Sequence, residues 1–191
     1  SWSALRPSVV CGFALGNPMN LAVGIAVYAA MCKELGLPFR FPGKPGAYDS
    51  LIEMTDANLL SQAAVWASTD ERCANQAVNI NNGDLFRWRH LWARLARHFG
   101  MEDGGVQTIS LARQMADKEP VWDAIVKRHK LVVRPMAAAV TWVFGDFLWG
   151  LEHDVVSSMT KGRLAGFHDT VDTEAQILAH LQRYREARLL P

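Results

Sequence analysis

The side chains that could do chemistry in this chain are few, and their spacing suits little of it. Glu152-His153-Asp154, together with His168-Asp169, is the one acid/histidine cluster among six histidines. Its spacing matches no zinc pattern, so capping and surface roles are expected and no metal. Cys11, Cys32 and Cys73 are odd in number, far apart and set in apolar surroundings, without a Cys-x-x-Cys. They read as free buried thiols of a reducing compartment, which points to the cytoplasm. No Gly-x-Ser-x-Gly elbow is present for a serine hydrolase. No Gly-x-Gly-x-x-Gly follows a strand, and "PGKPG" and "DGG" are turns, not phosphate loops. Four residues after Tyr28, Tyr48 and Tyr184 stand Cys32, Ile52 and Arg188, so no tyrosine is followed by a lysine at that spacing. No catalytic residue is identified.

The elements around these residues describe a globular protein. Half of the 191 residues are apolar, a fifth are charged, and the net charge is +1. That balance carries neither the basic excess of a nucleic-acid binder nor the composition of a disordered tail. Seven tryptophans suggest large apolar contacts or an aromatic-lined pocket. Residues 9–32 hold no charge, but Gly16-Asn17-Pro18-Met19-Asn20 interrupts them, and "LAVGIAVYAAMC" is too short to cross a bilayer. A buried strand, a loop and a buried helix are expected there, with no membrane partner.

The chain opens on Val9, Val10, Cys11 and Phe13, bounded by Pro7 and by Gly12 and Gly16, which is the look of an interior strand leaving a sheet. Asn20 caps the next helix, which stops at Gly36. A short strand and a Pro/Gly turn follow, and Thr55 or Asp56 starts a helix burying Leu59, Ala63, Trp66 and Ala67. "NQAVNI" reads as a second strand, and residues 103–110 as a loop. In "GDLFRWRHLWARLARHFG" Leu85, Trp88, Leu91, Trp92, Leu95 and Phe99 share one arc opposite the arginines. That makes an amphipathic helix from an Asp84 cap to Gly100 and not a nucleic-acid groove. Pro120 divides two helices. "MAAAVTWVFGDFLWGLEHD" is another apolar helical stretch, a short helix ends at Gly166, and Asp172 or Thr173 caps a last one with Ile177, Leu181 and Tyr184 inward. Two or three strands alternate with six to eight helices: part of an α/β sheet with a helical elaboration.

Several of these stretches, in order, resemble one family. "WSALRPSVVCGF" is similar to the strand after the catalytic helix in extended short-chain dehydrogenases/reductases, in the branch of progesterone 5β-reductase and iridoid synthase. "PMNLAVGIAVYAAMCKELGLPFRFPG", "TDANLLSQAAVWAS", "NQAVNINNGDLFRWRHLWARLA", "PVWDAIVKRHKL" and "SSMTKGRLAGF" follow as that branch has them. The resemblance covers nearly the whole chain, and Asn-Asn-Gly-Asp-x-Phe-x-Trp-x-x-Leu-Trp is its most specific signature.

The resemblance implies an α/β fold: the C-terminal part of a Rossmann-type parallel sheet, with strands in 1–20 and about 74–82, plus a mostly helical substrate-binding region. It implies an oxidoreductase that reduces an enone by hydride transfer from NADPH, with NADH as the alternative, acting on a small carbonyl substrate. The family's dinucleotide loop and its Tyr/Lys pair lie upstream of "WSALRP", so the chain is expected to be the portion that lacks them. Carried over by position, Pro7 and Val10 border the cofactor, where strand ends face the crevice. Phe13, Met19 and Asn20 border the substrate, and Trp142, Phe144 and Phe147 wall the pocket. Cys11 and "ALGN" depart from the plant members of the branch and leave the substrate open. An epimerase or dehydratase of the same superfamily, and a non-catalytic remnant that binds a partner, are the alternatives. An open sheet edge would also serve a homodimer.

Overall fold

The computed structural model describes residues 1–132 and 135–191. In chain order its elements are β1 (Ser3–Pro7), β2 (Val9–Cys11), α1 (Leu21–Glu34), β3 (Phe39–Phe41), α2 (Pro45–Asp49), β4 (Leu51–Ile52), β5 (Met54–Asp56), α3 (Ala57–Thr69), β6 (Gln76–Ile80), β7 (Phe86–Arg87), α4 (Trp88–Phe99), β8 (Asp103–Val106), α5 (Leu111–Gln114), α6 (Glu119–His129), α7 (Met136–Ala139), α8 (Trp142–Leu148), α9 (Thr160–Leu164) and α10 (Thr173–Glu186). It is a mixed α/β fold in which three of four strand pairs are parallel: β1 with β6, β2 with β5 and β3 with β8; β4 and β7 run antiparallel.

The opening apolar run is two strands with different partners. Ser3 to Pro7 register against Gln76 to Ile80, and Val9 to Cys11 against Met54 to Asp56. Ser8 is the transfer point: its N–H donates to Thr55 Oγ1 (3.0 Å) and its hydroxyl to the Glu53 carbonyl (3.2 Å). Thr55 Oγ1 in turn donates to the Ile80 carbonyl (2.8 Å). One buried threonine thus holds the ends of β1, β5 and β6 together.

α1 is buried almost all round, from Leu21 to Ala29 and again at Met31 and Cys32, as its uncharged sequence requires. It packs on α6, α8, α10 and β3. Beside it, Trp92 stacks on Phe39 at 4.4 Å, and Trp149 meets Trp92 edge-on at 5.8 Å. Trp88, Trp92 and Trp149 are therefore core. A second, smaller core of Leu59, Ala63, Val78, Ile80, Met159 and Phe167 lies under the β1–β6 pair.

Where the structure departs from the sequence reading, shortness is the usual reason. Eight strands of two to five residues are present among the described residues, most too short to show alternation. The "DGG" segment is strand β8, paired with β3, its glycines hiding it. α4 begins at Trp88 with Arg87 as its cap, not at Asp84. Phe86 and Arg87 are drawn into pairing with β4, and Leu85 is exposed, outside the buried arc. Pro45–Asp49 is a helical turn opened by its proline. The apolar stretch after Pro135 is two short helices, because Val140 is extended (φ −146°, ψ 139°).

Candidate functional site

Of the residues singled out in the sequence, Pro7 and Val10 lie in β1 and β2, Phe13, Met19 and Asn20 in the following loop 12–20, and Trp142, Phe144 and Phe147 in α8. Loop 12–20 is held by one phenol. Tyr184, on the inward face of α10, accepts from the Ala14 N–H (2.7 Å) and from Asn20 Nδ2 (2.9 Å). Its own hydroxyl proton faces the carbonyls of Gly12 (3.0 Å) and Ala14 (3.1 Å). Asn20 donates again to the Gly12 carbonyl (2.7 Å) while its Oδ1 caps α1 at Val23 N. The Asn20 side chain is buried and its polar atoms are occupied within the protein. Phe13 lies on the Tyr184 ring (4.6 Å between centroids), with the Arg183 guanidinium carbon over the Phe13 ring, 4.4 Å from its centroid.

Across the loop, the Thr141 N–H donates to the Pro18 carbonyl (2.7 Å), which brings α8 against residues 18–20. Asn20, Trp142 and Phe144 line one crevice of about 10 Å³ there, less room than a ligand needs. Met19 and Phe147 stand outside it, 58 % and 60 % exposed. Pro7 and Val10 lie at the ends of β1 and in β2, both exposed. Among the described residues β1 pairs with β6 alone, so its other edge, toward Pro7, is open. The structure thus joins Asn20, Trp142 and Phe144, places Phe13 separately on Tyr184, and leaves Pro7, Val10, Met19 and Phe147 on the surface.

Behind this surface is a buried polar network that sequence reasoning missed. Asp56 caps α3 through Asn58 N and Leu59 N, and its second oxygen receives Gln176 Nε2 (2.9 Å) and meets His180 Nε2 (3.0 Å). The Asp56 N–H donates to Asn82 Oδ1 (2.6 Å), and Asn82 Nδ2 donates to Thr173 Oγ1 (2.9 Å). Thr173 donates from both N–H and hydroxyl to Asp84. Beside it Glu53 takes Asn81 Nδ2 (2.8 Å) and Ser157 N (2.7 Å). The Asn-Asn-Gly-Asp signature is therefore a structural knot tying β6 to β5 and α10. Its one visible signal was the run of polar residues at a strand end.

Chemically the exposed face is apolar with unpaired backbone. Cys11 beneath it is no nucleophile: burial, followed by the Asp56 charge, pushes its thiol up to about 12 against the help of a backbone bond from Ala22. Burial also raises the Tyr184 phenol. Among the described residues no three histidine, cysteine or carboxylate side chains cluster as metal ligands, and no helix is long and apolar enough to cross a membrane.

No family profile matches the chain. Curated relatives do. It is 33 % identical over 194 residues to the 3-oxo-Delta(4,5)-steroid 5-beta-reductase of Arabidopsis thaliana, covering all of this chain and 50 % of that one. It is 37 % identical over 195 residues to the (S)-8-oxocitronellyl enol synthase ISY2 of Nepeta racemosa, covering 49 % of it. The chain spans about half the length of the curated relatives it matches. Among solved structures, RMD from Pseudomonas aeruginosa complexed with NADPH superposes over 97 % of this chain and 48 % of its own, at a TM-score of 0.52 and 13 % identity, a likeness of fold. By sequence, then, the chain is similar over its whole length to the C-terminal half of a steroid 5-beta-reductase and of 8-oxocitronellyl enol synthases.

Proposed function

We propose that these residues form the substrate-side portion of an NAD(P)H-dependent oxidoreductase that reduces a conjugated enone, completed by a dinucleotide-binding portion upstream. The observation that carries the reading is the match over the whole of this chain, and half of each relative, at 33 % and 37 % identity, to two proteins of different names. The first acts, by its name, on a 3-oxo-Δ4 steroid, which is an enone. The open β1 edge supports it. In parallel α/β sheets ligands bind outside the carboxyl ends of strands, and here that end carries exposed Pro7 and Val10 and then the fixed loop.

These residues fit the nicotinamide end of a dinucleotide and no more of it. The free backbone beside Pro7 and Val10 offers hydrogen-bonding groups to a carboxamide, whereas no Gly-rich turn stands in this sequence to meet a pyrophosphate. When bound, the reduced nicotinamide supplies hydride. The chain's own residues orient and exclude water. Tyr184 and Asn20 hold loop 12–20 in one conformation, and the exposed side chains of Met19 and Phe147 offer apolar surface to the substrate. The residues that stabilise the enolate oxygen belong, on this reading, to the upstream portion.

The test is an intact mass followed by an NADPH titration of the natural polypeptide and of the 191 residues alone (21.2 kDa), with absorbance of NADPH followed in the presence of progesterone or the small enone 2-cyclohexen-1-one. A heavier natural polypeptide that binds NADPH and consumes it with an enone is expected, with neither activity in the 191 residues alone. NADPH binding without turnover of either enone, but with conversion of a nucleotide sugar, would overturn the reading in favour of epimerase or dehydratase chemistry.

A further inference from the structure

A cavity lies away from loop 12–20, where the C-terminal ends of α1, α4, α6 and α10 meet. Its volume, about 370 Å³, falls in the range of small-molecule sites, about 300–1,000 Å³. It exists because α1 presents Ala26, Ala29 and Ala30 on one face, at helical spacing, where larger side chains would fill the gap. Ile125, Leu181 and Leu190 complete an apolar floor.

The rim is basic. Lys33, Arg128 and Arg185 stand there with one acidic side chain, Glu34, and with His98, His129 and Pro191. Basic residues in last helical turns commonly answer the negative end of a helix, and Lys33 is so used: its Nζ donates to the Phe99 carbonyl (3.2 Å). Arg128 pairs with the Glu34 carboxylate through both terminal nitrogens (2.5 and 2.8 Å). The remaining helix ends are closed by backbone: Gly36 N to Lys33 O, Met101 N to Ala96 O, Leu131 N to Val126 O and Leu189 N to Tyr184 O. That leaves the Arg185 guanidinium on the rim with no hydrogen-bonding or ion-pairing partner among the described residues.

We propose that this cavity is a binding site for an apolar monocarboxylate, its hydrocarbon body on the alanine floor and its carboxylate on the Arg185 guanidinium. A planar fork of donors matches a carboxylate in two parallel bonds, and the floor offers an apolar body what water does not. His98 reports on the head group. It is held below its ordinary value by burial first and by the Arg185 charge second; a bound carboxylate cancels the second cause.

Decanoate, decanol and dodecyltrimethylammonium serve as probes of the full chain, read by calorimetry and by NMR titration of the His98 ring. Decanoate should bind saturably and raise the His98 pKa. Decanol, and decanoate on Arg185→Ala, should bind about tenfold more weakly, the weight of one charge-assisted contact. Ala30→Phe, at a half-buried position, should abolish binding without lowering the melting temperature. Failure of decanoate to bind, equal affinity for decanol, preference for the ammonium probe, or unchanged binding to Ala30→Phe would each overturn the proposal. None of these readouts involves nicotinamide, so their outcome is independent of the function proposed above.

Discussion

At the scale of single residues, the fixed loop rests on groups whose loss is measurable one at a time. Tyr184→Phe keeps the stacking on Phe13 and removes only the hydroxyl. The Ala14 N–H and the Asn20 amide then lose an acceptor in a buried setting, which costs about 1–3 kcal/mol. The urea midpoint should fall accordingly with an unchanged m-value. A change of only a few tenths would show that the loop keeps its place without α10. Cys11 offers a second test. With its thiol at about 12, the thiolate is scarce at pH 8, and iodoacetamide should leave Cys11 unmodified in native protein while labelling it fully in urea. Native labelling of Cys11, mapped by peptide mass, would place the loop open to solvent.

At the scale of elements, what the sequence made legible is what repeats over enough residues. α1, α3, α6 and α10, with caps Asn20 and Asp56 and the stop at Gly100, follow from apolar spacing and capping chemistry. The strands of two or three residues do not, because pairing across the chain creates them and no local pattern announces it. The same holds for the site. Asn20 was legible as a cap, but its bond to Tyr184 spans 164 residues, and Asp84 was read as a cap when its partner is Thr173. Two substitutions test these long-range ties. Asp56→Ala removes the α3 cap and strands the donors of Gln176 and its contact with His180, for a loss of roughly 3 kcal/mol or more. Gly43→Ala puts a Cβ 2.2 Å from the Trp149 carbonyl oxygen. Because that atom is backbone, the turn after β3 must shift away from the end of α8, costing about 1–3 kcal/mol. Both are read by thermal melts, and a Gly43→Ala protein as stable as its parent would mean that the two segments do not touch in solution.

At the scale of the whole molecule, large apolar side chains stand exposed in several places, Val65, Val143 and Leu164 among them. Four more, Trp2, Val10, Leu15 and Met19, are 42–60 % exposed and lie along the first nineteen residues, beside a strand whose outer edge has no partner among the described residues. Apolar side chains next to unpaired backbone make a surface that pairs with whatever strand it meets. If an upstream strand of the same polypeptide covers it, a protein of only these 191 residues should self-associate with rising concentration, seen as an increase in mass by light scattering. Val10→Lys, which sets a charge on neighbouring β2 at an exposed position, should reduce the association. In the longer polypeptide the same substitution should instead weaken NADPH binding, since Val10 would face the cofactor there. A 191-residue protein that stays monomeric at every concentration would mean that this edge needs no partner, and the division of labour between an upstream cofactor half and this substrate half would lose its structural support.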